Sequence, residues 1–252
     1  MPHPLSKYLR LEVFPNPFCA GCGHGILLTA ILRAIDDLQI PMKDFVFVSG
    51  IGCAAWIPSP HFAADTLHTT HGRAVAFATG VKLQNPNLKV LVVSGDGDIA
   101  AIGGNHLIHA ARRNTEMTVI CANNAVYGMT GGQSGPTTPL DCYTTTSPQG
   151  NIEPPFDLCK LMDGAGAAYV ARYTVAHIHL LIKSIKTALT NPNFSFIEVI
   201  SPCPTHIGKM NASLSAVEMF RQLKQDYIPL AKYRKLPPEA QRKVKPVGEF
   251  VK

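Results

Sequence analysis

Lys89-Val90-Leu91-Val92-Val93-Ser94 is an apolar, β-branched run that ends at Gly95-Asp96-Gly97-Asp98, and this junction constrains the fold more than any other feature of the chain. An apolar run of strand length without polar alternation is buried on both faces, as strands of a parallel sheet are. Ile99 to Arg113 has helical character, and Met117-Thr118-Val119-Ile120-Cys121-Ala122 reads as the next strand, ending at Asn123-Asn124. Strand, helix and strand make a crossover unit whose two strands end on the same sheet edge, where open α/β sheets bind ligands. Asp96 offers a hard carboxylate oxygen there, and Asn124 offers an amide oxygen. Such donors suit Mg2+, with the remaining positions filled by diphosphate oxygens, a backbone carbonyl or water.

A lone Gly-Asp-Gly is most often a turn. A dinucleotide-binding loop is the second alternative, since Gly95-Asp96-Gly97 begins like G-x-G-x-x-G, but the third glycine is replaced by Ala100. Asp96 and Asp98 would crowd an anionic pyrophosphate unless a metal intervened. Both halves together, each at a strand end, match the thiamine diphosphate signature.

Cysteines form the second constellation. There are seven, in a chain with no apolar leader and no stretch long enough to cross a membrane, so a cytoplasmic location with reduced thiols is expected. Cys19 and Cys22 form a C-x-x-C within Phe18-Cys19-Ala20-Gly21-Cys22-Gly23-His24-Gly25, a spacing that lets one glycine-rich loop present two sulfurs to one metal centre. A structural zinc site would supply a second nearby pair, and a thioredoxin-like pair would follow a strand; neither pattern is met. Cys53 and Cys203 each follow an apolar run, Phe45-Val46-Phe47-Val48 and Phe196-Ile197-Glu198-Val199-Ile200. Both are expected at carboxyl ends of strands, on the face of the diphosphate site. Four thiolates of this kind suit a [4Fe-4S] cluster. Cys121, Cys142 and Cys159 read as buried or incidental.

Further along, Phe156 to Asp163 reads as a short helix, Ala167 to Arg172 as a strand, Ile178 to Leu189 as an amphipathic helix and Phe194 to Ile200 as the last strand. The fold expected is α/β, a parallel sheet with helices on both faces. Its 252 residues, 46% hydrophobic, are enough for a sizeable core. Residues 1–211 would form this domain. Tyr127 to Pro155 is rich in Gly, Pro, Ser and Thr, and so long a loop is expected to fold over a cofactor or meet a partner. Residues 212–252 carry nine Lys and Arg against four Asp and Glu. Ala216 to Tyr227 can form a helix, and the prolines beyond it favour extended chain. This basic tail is expected as a solvated terminus or as a strap docking another subunit. It would also steer an acidic redox partner. No aromatic platform or recognition motif supports nucleic-acid binding.

These motifs together resemble the β subunits of the 2-oxoacid:ferredoxin oxidoreductases, most closely the 2-oxoglutarate type. The resemblance rests on Cys19-Ala20-Gly21-Cys22-Gly23, Gly50-Ile51-Gly52-Cys53, Leu67-His68-Thr69-Thr70-His71-Gly72-Arg73-Ala74, Gly95-Asp96-Gly97-Asp98, Tyr127-Gly128-Met129-Thr130-Gly131-Gly132-Gln133 and Gly150-Asn151-Ile152-Glu153-Pro154-Pro155. It implies a thiamine diphosphate-binding (pyrophosphate-domain) fold, with Cys19, Cys22, Cys53 and Cys203 as [4Fe-4S] ligands. Mg2+ would be held by Asp96, the side chain of Asn124 and the carbonyl of Val126. Ile51, Gly52, Cys53, Gly95, Gly97, Asp98, Gly128, Met129 and Thr130 would line the cofactor, and His71 would lie near its reactive end as a catalytic residue. The implied reaction is oxidative decarboxylation of a 2-oxoacid, with the acyl group passed to coenzyme A and electrons passed through the cluster to ferredoxin. A partner α subunit would carry the pyrimidine-binding domain and its activating glutamate, and further small subunits are compatible with the pattern.

One position departs from that family. Trp56 stands three residues after Cys53, where members acting on 2-oxoglutarate usually carry Arg or Lys. An indole cannot pair with a distal carboxylate, so pyruvate or a branched-chain or aromatic 2-oxoacid stays open. Of the nearby cations, Arg73 is expected at a helix start and Lys82 facing solvent. Two other classes also stay open: a cluster-free thiamine diphosphate decarboxylase subunit, and a non-catalytic iron-sulfur electron carrier.

Overall fold

A computed structural model describes residues 3–212 and 214–251. In it the apolar runs become the inner strands of one sheet. The first four strands are β1 (Phe45–Ser49), β2 (Asp65–His68), β3 (Lys89–Gly95) and β4 (Thr118–Asn123). A two-residue hairpin follows, β5 (Val126–Tyr127) with β6 (Gln133–Ser134), and then β7 (Tyr169–Thr174) and β8 (Ser195–Ile200). The C-terminal segment adds β9 (Tyr227–Pro229) and β10 (Lys245–Val251). The strand order is β2-β1-β3-β4-β8-β7-β10-β9. Every pair from β2 to β7 is parallel, whereas β10 runs antiparallel to β7. Strand β10 also pairs with β9 in parallel register. The sheet is therefore mixed at one end. The basic tail is no solvated terminus, because its last strand is laddered to the sheet.

Two helices cover one face, α1 (His24–Leu38) and α5 (Ile178–Thr190), and pack on each other. In α1 the fully buried Leu27, Ile31 and Ile35 recur at helical spacing toward the core. Each contributes about 1.5–3 kcal/mol by leaving water. The opposite face carries α2 (Ala74–Gln84), α3 (Gly104–Arg112) and α4 (Leu158–Gly164) over Val90, Val92, Val119 and Phe196. Beyond them α6 (Ala216–Asp226) begins in a capping box of Ser215 and Glu218. Gly21, in the C-x-x-C loop, has φ +79°, and a Cβ on it would fall 2.2 Å from that of Ala216, so α6 seals the loop only over a glycine.

Lys82 does not face solvent. It is buried in the last turn of α2, donates to the carbonyls of Pro86 and Leu88 (2.6 and 3.0 Å) and pairs with Glu116 at 3.1 Å. The chain turns at once into Pro86, and the lysine satisfies carbonyls that the turn leaves unpaired.

Candidate functional site

Five neighbouring parallel strands, β2, β1, β3, β4 and β8, end on one edge. In that order they deliver His71, Ile51-Gly52-Cys53, Asp96-Gly97-Asp98, Asn124 and Ser201-Pro202-Cys203. Chain direction across the sheet reverses between β1 and β3, which is where a doubly wound sheet opens a crevice.

One cavity at this crevice is lined by Ile51, Gly52, Cys53, His71, Gly95, Asp96, Gly97, Asp98, Asn124, Val126, Gly128, Met129 and Thr130. All the cofactor-binding positions expected from the sequence are thus brought together. The first part of the long loop forms one wall, and its remainder is tied to itself through Ser134, Thr144, Ser147 and Asn151. Gly95-Asp96-Gly97-Asp98 is no ordinary turn. A π-helical segment, Gly97–Ile102, leaves β3 and closes with the Gly103 N–H donating to the Asp98 carbonyl at 2.9 Å, so α3 begins late.

The two acids of the motif have different surroundings. Asp98 is fully engaged: it accepts from Ser94 Oγ (2.7 Å), Gly72 N–H (2.7 Å) and Ile51 N–H (3.1 Å). His71 Nδ1 lies 2.5 Å from the same carboxylate, out of line for a well-directed hydrogen bond. Asp98 therefore ties the loops after β1 and β2 to β3. Gly50 is part of that tie, since a Cβ there would fall 2.0 Å from Asp98 Oδ2. Asp96 is 1% exposed, accepts from Thr137 Oγ at 2.6 Å and from Asn124 N–H at 3.4 Å, and is paired with no Lys or Arg among the described residues. Burial lifts its carboxyl to about 6, against the pull of those two donors. A cation at this carboxylate would restore its charge. Asn124 turns its Oδ1 inward to accept from Val126 N–H (3.2 Å), leaving a second lone pair. Asp96, Asn124 and the carbonyl of Val126 make an all-oxygen donor set that fits Mg2+.

A second cavity of about 280 Å3 is lined by all four expected cysteines, Cys19, Cys22, Cys53 and Cys203. Cys203 is followed by another π-helical segment, Pro204–Gly208. Burial pushes the Cys22 thiol up to about 11, and the other three sulfurs add to the effect. Burial raises the Cys53 thiol as well, and Cys203 and Cys19 add to it, so Cys22 and Cys53 both need positive charge nearby to be thiolates. No three His, Cys, Asp or Glu side chains among the described residues are arranged to close on one metal ion. Four thiols lining one cavity are the donor type that an iron-sulfur group takes. Cys121 and Cys159 are buried in the core and Cys142 is half-buried, all away from this cavity.

Trp56 lines the cysteine cavity and not the Asp96 cavity, with its ring edge-on to His68. Arg73 stands at the start of α2, as expected, without a side-chain capping bond. Sequence reasoning missed His24, Ala54, Ala122 and Tyr127 in the Asp96 cavity, and Thr137 behind Asp96. His24 could have been noticed, because it follows Cys22 by two residues; nothing local marks Thr137.

Comparison with known proteins agrees with this geometry. Residues 50–199 match the family described as thiamine pyrophosphate enzyme, C-terminal TPP binding domain. The chain is 49% identical over 249 residues to the 2-oxoglutarate synthase subunit KorB of Methanocaldococcus jannaschii, covering 99% of this chain and 92% of that one. It is 52% identical over 248 residues to the KorB subunit of Methanothermobacter thermautotrophicus, covering 98% and 86%. Among solved structures, 2-oxoglutarate:ferredoxin oxidoreductase from Magnetococcus marinus superposes with a TM-score of 0.86 at 30% identity, covering 100% of this chain and 85% of that chain. With its crevice, its matched domain and relatives aligned over nearly its whole length, the chain belongs to the β subunits of the 2-oxoacid:ferredoxin oxidoreductases, of the 2-oxoglutarate synthase KorB type.

Proposed function

We propose that this subunit binds thiamine diphosphate through Mg2+ beside a [4Fe-4S] cluster, and that the assembled enzyme converts 2-oxoglutarate and coenzyme A to succinyl-CoA and CO2, passing electrons to ferredoxin. The observation that carries this reading is a shared wall. Cys53, Asn124, Gly128 and Met129 line both the Asp96 cavity and the cysteine cavity. A Cβ on Gly128 would lie 3.7 Å from Asn124 Nδ2 and 3.7 Å from Cys53 Sγ, so only a thin layer of backbone separates the two donor sets.

Asp96, Asn124 Oδ1 and the Val126 carbonyl would hold the metal, and Cys19, Cys22, Cys53 and Cys203 would hold the cluster. When bound, the thiamine cofactor supplies an electron sink for loss of CO2, and the cluster accepts electrons singly. The chain's own work is to hold both groups and exclude water. Asp98 fixes the loops that carry Ile51 and Gly72, and His71 would face the reacting end of the cofactor. No glutamate lines the Asp96 cavity among the described residues, which supports an activating glutamate supplied by an α subunit. Further small subunits are compatible with this assembly. Residues 212–252 provide the outer two strands and, in this reading, serve as the docking extension. No disulfide joins any of the seven cysteines, all of them among the described residues, which suits a cytoplasmic setting. No helix among the described residues is long and apolar enough to cross a membrane.

The substrate reading is supported by the relatives' names, and Trp56 lines the cysteine cavity and not the Asp96 cavity. The test is coenzyme A-dependent ferredoxin reduction by the assembled enzyme. A kcat/KM for 2-oxoglutarate at least about tenfold above those for pyruvate and 2-oxobutyrate is expected. Preference for either competitor would return the substrate to the alternatives that Trp56 suggests.

A further inference from the structure

Helix α6 lies on both segments that carry cysteines into the second cavity. Its first residue, Ala216, stands over Gly21 in the C-x-x-C loop. One turn on, Met219 Sδ would fall 2.9 Å from a Cβ on Gly208, at the end of the segment that follows Cys203. Cys19 is the one exposed thiol of the four, and Ala20 and Gly21 are exposed beside it. The cysteine cavity therefore comes to the surface at the start of α6.

The helix buries Leu223 and half-buries Ala216, Met219 and Phe220 on its inner side. On one outer flank Val217, Arg221 and Lys224 recur at i, i+4 and i+7. Val217 is 59% exposed, and both cations are exposed. Neither cation forms an ion pair among the described residues. The two acids of the helix are placed elsewhere: Glu218 in the capping box with Ser215, and Asp226 in the wall of the cavity that holds Arg172 and Glu198. Lys209, exposed on the segment after Cys203, adds a third cation. From Val13 to Leu32 the chain has no Asp, Glu, Lys or Arg, so the loop of Cys19 brings no opposing charge.

We propose that the Val217-Arg221-Lys224 flank of α6 is where the electron carrier docks, and that the carrier meets it with a carboxylate-rich face. Cations around one exposed apolar side chain suit a small, short-lived redox contact, in which charge sets the rate of encounter and little surface has to part afterwards. In that contact the cluster loses one electron and the carrier gains it, with no atom or proton exchanged. The proposal rests on the reading that Cys19, Cys22, Cys53 and Cys203 hold a cluster and that ferredoxin is the acceptor. It leaves β9, at the outer edge of the sheet, to a partner subunit.

The test is steady-state kinetics of the assembled enzyme with a purified acidic ferredoxin, and separately with methyl viologen, a small acceptor that needs no docking face. Arg221→Glu with Lys224→Glu is compared with Lys43→Glu with Arg113→Glu, which makes the same charge change at exposed sites before β1 and β4, at the opposite edge of the sheet. The α6 pair is expected to raise the KM for ferredoxin by at least about tenfold at low salt. The gap should narrow as salt rises and the charges are screened. Its viologen-dependent kcat should stay within about twofold of wild type, and the control pair should match wild type with both acceptors. An unchanged ferredoxin KM in the α6 pair overturns the proposal, and so does an equal rise in the control pair. Loss of assembly in the α6 pair also overturns it, since the flank would then belong to a subunit contact. A wild-type enzyme that reduces viologen but no ferredoxin would instead overturn the acceptor in the proposed function, a result distinct from equal KM values in wild type and variant.

Discussion

Thr137 Oγ lies 2.6 Å from Asp96 Oδ2, so a hydroxyl from the long loop holds the buried acid at the end of β3. The same oxygen is 2.9 Å from Asn123 Oδ1, and Asn123 Nδ2 in turn donates to Glu198 Oε1 at 2.7 Å. Glu198 accepts from Arg172 Nε at 2.6 Å. A buried charge pair thus sets the Asn123 amide, whose Oδ1 competes with Asp96 for the Thr137 proton. Thr137 has one proton to give, and it goes to Asp96 when Asp96 is ionised. Groups that orient a metal ligand in this way are worth about 10–100-fold in metal affinity. Thr137→Val is expected to raise the Mg2+ concentration needed for thiamine diphosphate retention by at least about tenfold, with Thr137→Ser restoring it. An unchanged Mg2+ titration in Thr137→Val would remove the loop from the metal site.

Asp96 also gives the metal-free chain a pH dependence. A carboxyl with pKa near 6 when folded and 3.8 when unfolded binds its proton more tightly in the folded state. The metal-free chain therefore loses stability as pH rises from about 4 to about 6, and the loss persists above that window. It amounts to roughly 3 kcal/mol for a gap of about two units. Asp96→Asn is expected to be more stable than wild type in chelator at pH 7, with the advantage fading toward pH 4, while losing Mg2+-dependent cofactor retention. Denaturant titrations at the two pH values measure this. An Asn variant less stable than wild type at pH 7 would contradict it.

What could be read from the chain beforehand follows the range of the interactions. Asp96 and Asn124 were legible because each directly ends a strand, and strand ends follow from local apolar runs. Cys19 and Cys22 were legible through their spacing, and Cys53 and Cys203 through the strands before them. Thr137 was not, because it reaches Asp96 across 41 positions from a segment without periodicity. The antiparallel pairing of β10 with β7 escaped for the same reason: Lys245-Pro246 signals extended chain but not its partner. Lys82 was placed in solvent because a lysine late in a helix is usually exposed, whereas here the carbonyls of the next turn draw it in.

Cys203→Ser is expected to abolish the cluster's iron and its absorbance while leaving Mg2+-dependent thiamine diphosphate binding within about threefold of wild type. Cys203 lines the cysteine cavity and not the Asp96 cavity, which is why the two functions should separate. Full iron content in this variant would remove Cys203 from the ligand set.

Gly50→Ala tests the Asp98 tie without touching a proposed ligand. The added methyl group would meet the carboxylate at 2.0 Å, and neither backbone can yield freely. A destabilisation of about 1–3 kcal/mol is expected, together with weaker cofactor retention as the loop carrying Ile51 moves. Wild-type stability in this variant would mean that the tie gives way easily.

The most direct measurement is quantification of iron, acid-labile sulfide and thiamine diphosphate in one anaerobically purified sample of the enzyme with its partner subunits. About four irons and four sulfides assignable to this chain, with one thiamine diphosphate, are expected. Thiamine diphosphate without iron, or iron without thiamine diphosphate, would contradict the side-by-side arrangement across the wall formed by Cys53, Asn124, Gly128 and Met129.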